Sequence, residues 1–183
     1  MKTIKKLSLV FAITFATVFS SCSNDNGGSG ISVPATGTYI NAKVSGSNFT
    51  TVIQGQNTGI ATKSGSGAQT FIQIGGSSIS NITTSGADSA TISIGLYGVS
   101  AVGTYPLSPS TDSVLGYTFV AAGATTGSVY STGDCEGSIG TITITSFTAT
   151  QIEGTFSCTA KKAETCDSSK TITEGSFRGV FAN

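Results

Sequence analysis

The sequence predicts an all-β fold: a single antiparallel β-sandwich or open barrel of about 8 to 10 short strands. Three observations predict it. From Gly37 onward the apolar residues recur with period two and no segment carries a 3.6-residue period; Gly, Ser and Asn punctuate these stretches roughly every ten residues; and β-branched and aromatic side chains fill them. A domain of roughly 150 residues buries about two thirds of its unfolded surface, so one core suffices without metals.

The expected strands follow in chain order. Tyr39 to Ser45 and Phe49 to Gln54 come first, then Thr70 to Gly75. In Thr91 to Leu96, Ile92, Ile94 and Leu96 fall on one face. Leu115 to Ala121 and Ser128 to Ser131 are next. In Thr141 to Thr145 the two isoleucines point one way and Thr141, Thr143 and Thr145 the other, a hydroxyl row able to order water and, more simply, what a solvent-facing strand uses. In Ile152 to Ala160, Ile152, Gly154, Phe156, Cys158 and Ala160 share a face, and Thr171 to Val180 closes the series. Each reads as a half-buried antiparallel strand.

These residues also carry a resemblance. GTYPL at Gly103 to Leu107, GTITITSFTATQIEGTFSCTA at Gly140 to Ala160, KTITEGSF at Lys170 to Phe177 and the opening NAKVSGSNFT at Asn41 to Thr50 resemble a family of small Bacteroidota lipoproteins that carry a domain of unknown function. The resemblance covers most of the β-domain. Its motifs are strand and turn patterns, so it implies a fold and a location and no reaction.

The N-terminus predicts an address. MKTIKK places Lys2, Lys5 and Lys6 ahead of the apolar run Leu7 to Phe19, the charge-then-apolar order of a secretory signal. That run is shorter than the roughly 20 residues a membrane-spanning helix needs. Phe19-Ser20-Ser21-Cys22 resembles a bacterial lipobox, in which cleavage precedes a cysteine that becomes lipidated. The expected organisation is a lipoprotein signal peptide over 1–21, a flexible Gly, Ser and Asn tether over 22–36, and a β-domain over 37–183. Acyl chains on Cys22 would then hold the protein in a membrane, at about 0.8 kcal/mol per buried methylene. Ser23 to Asn26 resembles the short polar, acidic signal that sends Bacteroidota lipoproteins to the cell surface. The expected location is therefore the outer membrane facing the cell exterior, with the periplasmic face as the alternative.

Composition narrows the chemistry. Removal of residues 1–21 takes three of the nine Lys and Arg and none of the nine Asp and Glu, which argues against nucleic acid as a partner. Charged residues are 10% of the chain, against about 25% in ordinary domains, so the surface is polar but electrically quiet and suits a neutral partner such as a glycan or an envelope protein. The chain has no His, which removes Ser-His-Asp and Cys-His catalysis and imidazole zinc sites. No cofactor, metal or catalytic set is expected.

Beyond Cys22 there are Cys135, Cys158 and Cys166. Cys158 alternates with Ile152 and Phe156 and so faces the core. A two- to four-residue turn near Thr148 to Thr150, with its register extended backwards, sets Cys135 opposite residues 164 to 166. This predicts a Cys135–Cys166 disulfide with Cys158 free; the runner-up is Cys158 with Cys166. Asp134 and Glu136 flank Cys135 with carboxylates, which reads as a solvated turn in preference to a calcium loop. Asp88-Ser89-Ala90 and Asp112-Ser113-Val114 resemble the Asp-Ser/Thr-apolar sequon of Bacteroidota O-glycosylation, marking Ser89 and Ser113 as candidate glycan sites in exposed turns. The reading that joins these features is a non-enzymatic, lipid-anchored binding or interaction module. The alternative is a carboxylate-dependent hydrolase acting on extracellular polysaccharide, which needs two of the scattered carboxylates to meet in a cleft.

Overall fold

Thirteen strands and one short 3-10 turn account for most of residues 36–84 and 86–181, the residues that the computed structural model describes. The strands are β1 (Tyr39–Val44), β2 (Ser47–Thr50), β3 (Val52–Ile53), β4 (Gln56–Asn57), β5 (Ile60–Ser64), β6 (Phe71–Thr83), β7 (Gly86–Tyr97), β8 (Gly103–Leu107), β9 (Val114–Val120), β10 (Ser128–Ser131), β11 (Ile139–Phe147), β12 (Gln151–Lys162) and β13 (Ser169–Val180). The signal peptide, Cys22 and all but the last residue of the tether lie outside the described residues. No helix among the described residues is long and apolar enough to cross a membrane.

One antiparallel sheet runs in the order β2-β1-β13-β12-β10-β9-β7-β6-β5 and curls into an open half-barrel. β11 branches from β12 beside β10 and carries β8 on its outer edge. The concave side holds the core: Ile40, Ile72, Ile74, Ile92, Ile94, Leu96, Leu115, Ile142, Ile144, Ile152, Ile172 and Phe177 are all nearly or wholly buried. The curl is fastened at its ends by polar contacts. The Thr58 hydroxyl donates to the Ser77 carbonyl at 2.6 Å, and Lys63 on β5 lies over the rings of Phe147 and Phe181, 4.9 and 5.6 Å from their centroids.

Two bulges set which side chains enter the core. Ile172 and Phe177 are an odd number of residues apart, so in an unbroken strand they would face opposite ways. An extra residue at Glu174, in the left-handed region at φ +52°, shifts the register against both β1 and β12, and both side chains turn inward. The β11–β12 ladder shifts in the same way between Ile144 and Ser146, which lets Ile144 and Phe147 both pack on the core.

Several expectations are refined. Phe49 to Gln54 is not one strand: buried Thr51 interrupts it, its hydroxyl accepting from the Ile40 N–H, and β3 and β4 follow as a separate hairpin. The strand begun at Phe71 runs on to Thr83, well past Gly75. β5 and β8 add edge strands beyond the nine expected from periodicity. The β11–β12 register also differs, because Ile142 faces Phe156 and Ile139 faces Thr159. Continued backwards, that ladder would set Ala163 opposite position 135.

Candidate functional site: a hydroxyl-lined trough on the outer sheet face

The convex face of β8, β11, β12, β13, β1 and β2 presents one continuous polar row. Thr104 faces Thr143, Thr143 faces Thr155, Thr155 faces Ser176, Ser176 faces Asn41, and Asn41 faces Thr50. Register partners in an antiparallel sheet share a face, so the pairing brings these six side chains to the same side. The hydroxyls of Thr104 and Thr143 stand 3.1 Å apart. The threonines of β11 are therefore one column of a wider array.

At the β13 bulge the array dips into an open trough of about 320 Å³. Its walls are the hydroxyl-bearing Thr141, Thr143, Thr155, Ser157 and Ser176, with Glu174 at one side and Gly175 and Phe156 beneath. The bulge makes this concavity: Thr173 and Glu174 both face solvent, and the ladder partners at that point separate.

Two ion pairs border the row. Lys43 Nζ reaches Glu174 Oε1 at 2.8 Å, with the Lys43 side chain partly and the Glu174 side chain mostly exposed. Arg178 donates from Nε to Glu153 Oε1 at 2.6 Å, Gln151 donates to the same oxygen at 3.1 Å, and the guanidinium lies 5.3 Å from the Tyr39 ring centroid. Burial pushes the Tyr39 hydroxyl pKa up, and the neighbouring Arg178 charge opposes that rise. Charges here occur as opposite pairs, so the patch is polar without a net sign.

The cysteines lie elsewhere. Cys135 and Cys166 are joined by a disulfide, with Cα atoms 5.7 Å apart. Cys158 is the free thiol among the described residues, and burial raises its pKa to about 12. The bonded pair does not sit in the β11–β12 ladder. Cys135 is in the β10–β11 loop and Cys166 in the β12–β13 turn, at φ +58°, and the turn folds Cys166 back to donate from its N–H to the Lys162 carbonyl at 2.9 Å. Asp134 and Glu136 are exposed, and no group of three or more Asp, Glu, Cys or His converges among the described residues.

Neither candidate glycan serine is in an exposed turn. Ser89 lies half-buried within β7, and Ser113 is 6% exposed in the segment leading into β9. Asp88 instead ties β6 and the turn after β9 to its strand: its two oxygens accept from the Ala122 N–H at 2.8 Å and the Asn81 amide at 2.6 Å, and these bonds hold its carboxyl below the usual range.

Sequence reasoning found the β11 threonines and missed the rest of the site. Asn41, Glu153, Glu174, Ser176 and Arg178 meet only through the pairing of β1 with β13 and of β13 with β12. The available signal was the odd spacing of Ile172 and Phe177, which demands a bulge.

Comparison with known proteins adds a family without an activity. No curated protein and no solved structure matches the chain. The family described as domain of unknown function (DUF6252) matches residues 49–181, from β2 to the end of the described domain. The chain belongs to that family.

Proposed function

We propose that this chain is a non-enzymatic, lipid-anchored envelope protein whose β-domain binds a neutral, hydrogen-bonding ligand in the outer trough. The observation that carries the binding reading is the trough itself: five hydroxyl side chains converge on a concavity whose charged neighbour, Glu174, is already balanced by Lys43. Such a lining offers many hydrogen bonds and no net field, which suits an uncharged polar partner. The hydrolase alternative needs two carboxyl groups about 5 to 9 Å apart across a bound sugar. Among the residues lining the trough, the carboxylate is Glu174, and Glu153 beyond it is engaged by Arg178 and Gln151.

The anchor reading rests on Lys2, Lys5, Lys6, the apolar run Leu7 to Phe19 and the Ser20-Ser21-Cys22 junction. The resemblance to Bacteroidota lipoproteins supports the same address, in the outer membrane with the domain outward. Growth with an alkyne-bearing fatty acid tests it. The wild-type chain takes up label and partitions with membranes, whereas Cys22→Ala does neither; label retained by Cys22→Ala overturns the reading. Protease added to intact cells distinguishes outward display from the periplasmic face.

Binding is tested by replacing Thr155 with Val, which removes one wall hydroxyl and preserves β-branching. Retardation by neutral polysaccharides in native gels should weaken, and unchanged retardation counts against the trough.

A further inference from the structure

Asn41 is 2% exposed, and neither its side-chain oxygen nor its nitrogen has a hydrogen-bond partner among the described residues. It alternates with the core residues Ile40 and Ala42, so it faces outward in the same row as Ser176 of the trough wall. An Asn amide carries two N–H donors and a carbonyl acceptor, and burying it unsatisfied costs about 1–3 kcal/mol. Packing gives no reason for an amide here: a valine suits a strand better and leaves nothing unsatisfied.

Its neighbours indicate what satisfies it. Along β1 it lies between Tyr39 and Lys43, and the Lys43–Glu174 pair beside it is exposed. An exposed ion pair contributes about 0–1 kcal/mol, so swinging these two flexible side chains aside is inexpensive. Glu174 also sits in a left-handed conformation that few non-glycine residues adopt, a form of strain that gathers at ligand clamps.

We infer that Asn41 is the buried recognition group for a neutral saccharide, uncovered when the Lys43–Glu174 pair opens. The inference rests on the trough being a ligand site. Two adjacent sugar hydroxyls match an amide edge, one donating to Oδ1 and the other accepting from Nδ2, while Glu174 and Ser176 take further hydroxyls. A neutral ligand is indicated because the bordering charges occur as opposite pairs and give the patch no net sign. The trough volume of about 320 Å³ lies at the small end of the range for ligand sites.

The test is affinity electrophoresis of the full chain through gels containing dextran, mannan or xylan, with wild type, Asn41→Val and Thr155→Val compared, and with melting temperatures measured alongside. The expected result is retardation of wild type by at least one polysaccharide, about tenfold weaker for Asn41→Val, which corresponds to about 1.4 kcal/mol. The melting temperature of Asn41→Val should be unchanged or raised, because an unsatisfied amide has been removed. Retardation undiminished in Asn41→Val but weakened in Thr155→Val overturns this inference and leaves the trough reading standing. Retardation undiminished in both overturns both. Failure of all three polysaccharides to retard wild type overturns the saccharide assignment. A lowered melting temperature with undiminished retardation makes Asn41 structural. Should Asn41→Val fail to fold, the side-chain amide resonance of Asn41 in the unsubstituted chain decides: it should shift on addition of oligosaccharides cut from the retarding polysaccharide, and an unmoved resonance overturns the inference.

Discussion

Gly154 stands directly opposite Phe177 in the β12–β13 ladder, and a Cβ added to it would lie 2.8 Å from the Phe177 ring and 2.3 Å from the Thr143 carbonyl oxygen. The ring occupies the space that a side chain on the facing strand would fill. Gly154→Ala should therefore destabilise the domain by roughly 1–3 kcal/mol through overpacking. A urea denaturation midpoint equal to that of wild type would mean that the ring and backbone are free to separate there.

The Cys135–Cys166 bridge closes a loop of 31 residues spanning β11, its hairpin turn and β12. In the chain-entropy account such a closure stabilises by about 3 to 4 kcal/mol, by limiting the unfolded chain. A Cys135→Ser, Cys166→Ser chain should lose that much in equilibrium denaturation, and wild type in reductant should show the same loss.

Cys158 is expected to be chemically silent in the native chain. Burial holds its pKa near 12, against an ordinary 9.0, so the thiolate that reacts is scarce. The fold accepts the neutral thiol. Nothing is lost below about pH 9, and stability falls as pH rises from there toward 12. Iodoacetamide should label Cys158 only after denaturant is added; rapid native labelling at pH 8 would contradict the buried placement.

Asp88 works in the opposite direction. The Ala122 N–H bond, followed by the Asn81 amide, holds its carboxyl below 3.8, so its contribution is present above that pH and is lost as pH falls through the lower folded value. The Ala122 amide should then exchange faster with solvent in acid than at neutral pH. Asp88→Ala should show the faster exchange at both, and an exchange rate insensitive to that substitution would dismiss the tie.

Glu174→Gly separates fold from recognition. Glycine adopts φ +52° without strain, which should add up to about 1 kcal/mol, offset in part by loss of the exposed Lys43 pair. Thermal stability should hold or rise while polysaccharide retardation falls. A clear drop in melting temperature would show that the carboxylate, not the backbone turn, supports the bulge.

Much of this architecture is legible in the residues, for identifiable reasons. Ile92, Ile94 and Leu96 announce β7, and Ile142 with Ile144 announces β11, because each strand has one dry face and one wet face. Ile60 to Ser64 gives no such signal, since β5 is an edge strand whose Ile60 is half exposed. β8 hides behind Pro106, a residue that an edge strand tolerates and a central one does not. The far half of β6 carries Ser77, Ser78 and Ser80, with Ile79 and Ile82 turned to solvent, so no apolar alternation marks it. The disulfide is reached by the two loops and not by continuation of the hairpin, whose register is moved by the bulge near Thr145. The site is the least legible part, because its residues come from strands far apart in the chain that only the completed sheet places side by side.

The extra residue at Glu174 divides two kinds of constraint within one position. Its presence belongs to the interior, since without it Ile172 and Phe177 fall out of phase. Its side chain belongs to the exterior, where it stands at the rim of the trough beside Lys43. A substitution at that one side chain therefore alters the rim of the trough and leaves the core in phase, whereas a change in the count of residues between Ile172 and Phe177 does not.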